Sequence, residues 1–240
     1  MLFRSLGVIR INTIVLRLQY TERKGSPGSV GTWLGGLVAA AKKNLELVQG
    51  PRFASSSVFP EVALFDCHAC HHLMSDQRWQ PRRETARLGP GEIRLNDANL
   101  VMLASVAEVM APGQYRTLID GIADLHAAVR SDRDAVIAAA RRLSGTVDQL
   151  GSLVGGKVGE AEMKRILGNL FKQGVQGEYR DYVAAEQSVM AVDLLLIATG
   201  KKEATKAAVD RLYGTVRDEN HFDAAKFADS LSALQHQTGL

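Results

Sequence analysis

The 240-residue sequence is poor in the residues that support disulfide-rich or β-rich folds. It contains only two cysteines, which excludes a small secreted domain held together by several disulfides. Aromatic residues make up 6% of the chain and there are only six prolines, whereas alanine and leucine are plentiful, so the composition favours helices over a β-sandwich. No apolar run is long enough to span a membrane, and we therefore predict no transmembrane segment.

The charge balance gives little indication of a polyanionic partner. The formal net charge is +3, and the first 99 residues hold 13 Lys and Arg against 8 Asp and Glu. A nucleic-acid interface normally needs a denser basic patch, so we predict no nucleic-acid binding. We expect the arginines of this half to form a solvated surface. They include Arg78, Arg82, Arg83, Arg87 and Arg94.

Both cysteines fall in one short motif, because residues 65–72 read FDCHACHH. The spacing C-x-x-C-H is typical of a c-type haem attachment site. Two thiols three residues apart can each bond one vinyl group of the same porphyrin, and the histidine after the second cysteine can ligate the iron. The motif therefore predicts haem c as cofactor, with Cys67 and Cys70 as attachment residues and His71 as iron ligand.

Other interpretations of the cysteine pair stay open. A structural zinc site needs four ligands, and the neighbouring histidines are too close in sequence to complete a tetrahedron comfortably. A thioredoxin-like dithiol needs a βαβ context, which the sequence does not suggest. The pair could also be unmodified cysteines in a histidine-rich turn.

The N-terminal segment makes a poor secretory signal, because Arg10 and Arg17 interrupt its apolar stretch and no small-residue cleavage site follows. Haem c is attached outside the bacterial cytoplasm, so we expect a start that is mis-assigned or truncated. We divide the chain into an irregular segment at 1–30, a haem-attachment region at 31–95 and a helical bundle at 96–240.

Apolar residues recur at spacings of three and four along most of the chain, which indicates helices. The fold class we predict is all-α, an antiparallel helical bundle with an irregular haem-binding N-terminal region. We expect a loop at 51–60, a short helix starting at Pro60-Glu61 and an irregular, exposed connection at 75–91. The predicted helices cover 31–48, 96–110 (capped by Asn96 or Asp97), 114–130, 131–154 (capped by Ser131), 160–175, 178–199, 202–216 and 222–236. The residues predicted to be buried include Leu143, Val147, Leu150, Leu167, Leu170, Leu194 and Ile197.

Four short sequence elements occur in an order typical of a known family. They are TWL at 32–34, FPE at 59–61, FDCHACHH at 65–72 and Trp79. In this region the chain resembles the C-terminal part of bacterial multihaem c-type cytochromes with a cytochrome c-554-like domain. The resemblance implies periplasmic electron transfer, with Cys67 and Cys70 as thioether cysteines and His71 as proximal ligand. It also implies that His72 ligates the haem of a neighbouring segment or subunit, and that an unknown redox protein is the partner. Family members carry several C-x-x-C-H motifs and this chain has one, so we expect a piece of a longer cytochrome.

The distal iron ligand is not evident from the sequence. We expect His126 to be a satisfied histidine at the margin of the core, and Met102 and Met110 to be core residues. His68, His221 and His236 are weaker candidates for the distal position. No residue is assigned to bond-making chemistry, so we predict an electron carrier rather than an enzyme. A helical interaction or scaffold domain and a zinc-stabilised helical module are the alternatives.

Overall fold

The computed structural model describes residues 28–55, 59, 64–66, 82–89, 92–154 and 156–240. In these ranges the chain forms helices and no strand, which confirms the predicted all-α fold. The helices are α1 (Gly28–Gln49), α2 (Pro51–Ser55), α3 (Ala98–Met110), α4 (Pro112–Ala128), α5 (Arg133–Val154), α6 (Glu160–Val175), α7 (Tyr182–Ala198), α8 (Lys202–Thr215) and α9 (Ala224–Thr238), with a 3-10 turn at Glu219–His221.

Helix α3 lies at the centre of the bundle. Nearly every residue from Ala98 to Ala107 is buried, because this helix is apolar on all sides. It packs against α1, α4, α5, α6 and α7, while α1 also packs along α5 and α8 pairs with α9. The apolar side chains of these helices form one continuous core.

Most helix boundaries agree with the sequence prediction, and two local details differ. The predicted loop at 51–60 contains the short helix α2, which has Pro51 at its first position, where a missing N–H costs no hydrogen bond. The cap of α5 is Asp132 and not Ser131, since the Asp132 carboxylate accepts a hydrogen bond of 2.8 Å from the N–H of Ala135. The helix predicted to start at Pro60-Glu61 lies outside the described residues.

The predicted core is largely confirmed. Leu143, Val147 and Leu150 are buried along α5, and Leu167 and Leu170 are buried along α6. On α7 the prediction is wrong for Ile197, which is 45% exposed, and Leu194 is only partly buried. The reason is that α7 is apolar on nearly all sides, and Val192, Leu195 and Leu196 occupy its buried face at the C-terminal end, so Ile197 is left on the outer face.

The predicted exposed connection at 75–91 is described only at 82–89, where exposure is confirmed for Ala86 and Arg87 and is wrong for most of the other residues. From Arg82 to Gly89 the chain is irregular, as expected, but Arg82, Glu84, Thr85 and Leu88 are buried. Arg94 is buried as well, so the expectation of a solvated arginine surface fails for Arg82 and Arg94. We call residues 82–89 and 92–97 the arm, because these two stretches pack onto the bundle and contain no helix.

Candidate functional site

The predicted haem ligands Cys67, Cys70, His71 and His72 lie outside the described residues, within the gap at 67–81. The residues that border this gap, Asp66 and Arg82, are both described and both buried. Each is held by ion pairs, and the geometry of these pairs defines the candidate site.

On the N-terminal side of the gap, residues 64–66 pair with the arm. Phe65 forms an isolated antiparallel bridge with Leu95. The N–H of Asp66 donates to the carbonyl oxygen of Arg94 over 3.1 Å, and the Asp66 carboxylate accepts a 2.9 Å hydrogen bond from Arg94 Nη2. Arg94 Nη2 also donates to the carboxylate of Asp181. Backbone and side-chain contacts together therefore fix the residue that directly precedes Cys67.

On the C-terminal side of the gap, the guanidinium group of Arg82 is fully buried between two carboxylates. Arg82 Nη2 donates to Asp97 Oδ2 over 2.7 Å, and Nη1 lies 3.0 Å from Asp181 Oδ2. Asp181 binds both Arg82 and Arg94, and Arg94 binds Asp66, so the two residues that flank the gap are linked to one carboxylate. Buried charges of this kind need such partners, because an uncompensated one would be very costly.

His126 completes this buried network from helix α4. Its side chain is fully buried, and Nε2 lies 2.9 Å from Asp97 Oδ2. Burial favours the neutral acid, but Arg82 and the His126 hydrogen bond together hold the pKa of Asp97 well below its usual range. Because Asp97 is ionised, Nε2 of His126 must carry the hydrogen and donate it. Nδ1 makes no hydrogen bond within the described part of the chain.

A second group of charges surrounds Arg83 nearer the surface. Arg83 Nε lies 3.3 Å from Glu178 Oε1, and Nη1 lies 3.6 Å from Glu108 Oε2. Its guanidinium group also donates to Tyr115 Oη and to the Gln173 side-chain carbonyl. These contacts hold the arm against α3, α4 and α6.

Glu84 lies inside the arm and differs from the other acids. It is fully buried, and neither carboxylate oxygen makes a hydrogen bond among the described residues. The nearest cation is Arg83 Nη2, 3.7 Å from Oε1, which is too far for a hydrogen bond. Burial raises the pKa of Glu84 to about 7, with Arg82 opposing the rise and Glu178 and Asp97 adding to it.

A cavity of about 230 Å³ opens beside residues 64 and 95, between α1, α3, α4 and α7. Asn44, Asn96, Asn99 and Gln187 supply polar groups to its wall. Its apolar lining includes Leu45, Val48, Leu64, Leu95, Leu100 and Leu125. Leu64 precedes Cys67 by three residues, a span of about 10 Å at full extension. The cavity therefore lies close along the chain to the predicted haem-attachment motif.

The remaining histidines and methionines are placed as follows. His126 is a core histidine, as expected, but it lies deeper than the predicted margin, and only its Nε2 has a hydrogen-bond partner among the described residues. His221 is exposed and binds Asp218, His236 is exposed on α9, and His68 lies outside the described residues. Met102 is buried, and Met110 is partly buried against the core.

The sequence analysis did not find the buried ion network. Asp97 and Asp181 each directly precede a helix, where an acidic residue suggests a capping role, yet neither side chain caps its helix. Arg82 and Arg94 fall in an irregular stretch rich in arginine, which suggested solvent exposure. The one available signal was Leu88, an apolar residue that indicates contact of this stretch with the core.

Comparison with known proteins gives no match to a family model, to a curated protein or to a solved structure. Over the described ranges, no helix combines the length and apolar character that crossing a bilayer requires. The same ranges contain no cluster of three or more His, Cys, Asp or Glu side chains that could hold a metal ion.

Proposed function

We propose that this chain transfers electrons through one haem c, attached at Cys67 and Cys70 and ligated by His71. The C-x-x-C-H spacing at 67–71 carries this proposal. When bound, haem c supplies reversible one-electron chemistry between Fe(III) and Fe(II). On this proposal the protein is a periplasmic electron carrier and not an enzyme. It exchanges electrons with a partner protein, and His72 ligates a haem of a neighbouring segment or subunit.

The anchoring of both ends of the 67–81 segment supports the proposal. A redox centre works best on a rigid frame, because its ligands must keep one geometry in both oxidation states. Asp66, through Arg94, and Arg82 are both tied to Asp181 by buried ion pairs. Four buried charged residues, Asp66, Arg82, Arg94 and Asp181, therefore fix the two residues that flank the predicted haem-attachment motif.

The donor set and the adjoining cavity also fit haem c. Two thiols and an imidazole in one motif are the groups that thioether attachment and axial ligation require. The leucine-rich cavity next to Leu64 offers an apolar surface of the kind that excludes water from a haem edge and influences its potential. His126 Nε2 is committed to Asp97, so this nitrogen is not free to serve as the distal ligand.

The test is to express the chain with a signal peptide and a haem-attachment system, and to measure haem by the pyridine haemochrome spectrum. We expect about one haem per chain, because there is one pair of suitably spaced thiols. Cys67→Ala and Cys70→Ala should lose or greatly reduce attachment. His68→Ala is the matched control, since it changes the same motif at a position that takes no part in thioether attachment. A colourless wild-type protein, produced beside a control cytochrome that matures, would contradict the proposal.

A helical interaction domain is the second candidate, and one observation favours it. Met190 and Ile197 are seven residues apart on α7, so they share a face, and about half of each side chain is exposed. Such a face could bind a partner protein. If the protein contains no haem and forms a stable complex in pull-down experiments, the interaction domain is favoured. If it contains no haem and binds one zinc per chain, the zinc-stabilised module is favoured.

A further inference from the structure

Within the described part of the chain, no other residue donates a hydrogen bond to the carboxylate of Glu84. Its side chain is fully buried, and both of its oxygens are without hydrogen bonds in the described part of the chain. A buried carboxylate without donors bears a large desolvation cost, whereas a carboxylic acid bears a far smaller one. The environment therefore favours the protonated form.

The arginines near Glu84 are already engaged by other acids. Arg82 is bound by Asp97 and Asp181, and Arg83 by Glu178 and Glu108. Charged and titratable groups face Glu84 from its own turn, from the start of α3, from α4 and from the segment before α7. They are Arg82, Arg83, Asp97, Tyr115, Glu178 and Tyr179. Burial is the main obstacle to a negative charge on Glu84; Glu178 and Asp97 add to it, and Arg82 opposes it.

The position of Glu84 in the arm gives its protonation a structural consequence. The turn that contains it is closed by backbone hydrogen bonds from Thr85 to Arg82 (3.1 Å) and from Leu88 to Thr85 (2.9 Å). This turn is packed onto the bundle by Thr85 and Leu88, which are both buried. To ionise and gain water, Glu84 must leave its place, and the turn must then separate from the core.

We propose that Glu84 is a proton-binding site whose neutral carboxyl holds the turn of residues 82–89 against the bundle, so that rising pH loosens this turn. The step is a simple acid dissociation: the carboxyl O–H bond breaks, the proton passes to water, and no electron moves. The site is independent of the proposed haem. It would make the contact of Arg82 with the bundle sensitive to pH, and Arg82 is the first described residue after the predicted haem-attachment motif.

The experiment uses the full chain and compares wild type with Glu84→Gln, a neutral variant of similar shape. The first readout is the ¹³C NMR shift of the glutamate carboxyl carbons from about pH 4 to about pH 9. We expect one resonance that titrates near neutrality and is absent from Glu84→Gln. Glu46→Gln is the control, because Glu46 is exposed on α1 and its loss should leave that resonance in place.

The second readout is hydrogen-exchange protection of the backbone amides at 82–89. In wild type, protection should fall by up to about tenfold per pH unit between the ordinary glutamate pKa and neutrality, and level off above it. In Glu84→Gln it should be independent of pH. A wild-type Glu84 that titrates in the ordinary range for glutamate would overturn the proposal, and so would protection that does not change as Glu84 titrates. If the variant fails to fold, Glu84 can be assigned through its sequential backbone resonances, and the wild-type titration then decides alone.

Discussion

Arg82 Nη2 and Asp97 Oδ2 are 2.7 Å apart, and neither side chain exposes more than 3% of its surface. This pair joins the end of the 67–81 segment to the start of the central helix α3, and His126 binds the same oxygen of Asp97. A pair of this kind stabilises little in net terms against an apolar replacement, but removal of one partner leaves a buried charge without compensation.

We therefore predict that Asp97→Asn lowers the free energy of unfolding by about 3–5 kcal/mol, because it leaves Arg82 with one carboxylate fewer in a fully buried site. Urea denaturation followed by circular dichroism measures the change. Asp148→Asn is the matched control: Asp148 pairs with Lys42 on the surface, so its loss should cost less than about 1 kcal/mol. Equal effects of the two variants would contradict the structural role of the buried pair.

The buried and exposed faces of α5 provide a second comparison. Leu150 is fully buried, whereas Leu153, three residues further along the same helix, is 55% exposed. Leu150→Ala should lower the free energy of unfolding by about 2–5 kcal/mol through lost burial and the cavity it leaves. Leu153→Ala should have almost no effect. A similar loss of stability in both variants would contradict the assignment of Leu150 to the buried face of α5 and Leu153 to the exposed face.

The stability of the fold should depend on pH with opposite signs above and below the ordinary pKa of a carboxyl group, about pH 4. The pKa of Glu84 is raised to about 7 by burial, so the folded state binds a proton that the unfolded state has released above its ordinary pKa. Stability should therefore fall by roughly 1.4 kcal/mol per pH unit between the ordinary glutamate pKa and about pH 7, and remain constant above it. Urea titrations at several pH values should show this loss in wild type and not in Glu84→Gln.

At acid pH the sign is reversed, because Asp97 has a pKa that is lowered in the folded state. Its contribution to stability is complete above the ordinary aspartate pKa and is lost as the pH falls below it. The acid transition of Asp97→Asn should consequently be shallower than that of wild type. Identical acid transitions would contradict the ionised state of Asp97.

For the haem-loaded protein, His126→Ala should leave the absorption and EPR spectra unchanged, because His126 Nε2 donates to Asp97 and is not an iron ligand. We expect the iron to be five-coordinate, or to have a weakly bound sixth ligand, and to take up added imidazole in both wild type and His126→Ala. The variant should instead be less stable than wild type, while His221→Ala, which changes an exposed histidine, should match wild type in both measurements. A change from low spin to high spin in His126→Ala would show that the distal ligand lies within this chain.

Local periodicity was sufficient to predict the helices, since Val136, Leu143, Leu150 and Val154 lie on one stripe and are all buried. It failed for Ile197, because which face of a uniformly apolar helix is covered depends on its neighbours and not on its own sequence.

The buried ion network could not be predicted from the sequence for a related reason. Asp66, Asp97 and Asp181 are distant along the chain, and only the packed bundle brings them to Arg82 and Arg94. An arginine in an irregular stretch has the same local sequence features whether it is exposed or enclosed by carboxylates. The cysteine motif, in contrast, is recognised from the spacing of neighbouring residues alone, and the haem attachment that it predicts stays a prediction.

The central claim is that Cys67 and Cys70 hold a covalent haem, and intact-mass measurement with peptide mapping tests it most directly. The protein would be purified from the periplasm of cells with a working haem-attachment system. We predict a mass increase of one haem per chain, located on the peptide that contains both cysteines and absent from the Cys67→Ala, Cys70→Ala double variant. A wild-type chain of unmodified mass, isolated beside a control cytochrome that carries its haem, would contradict the account.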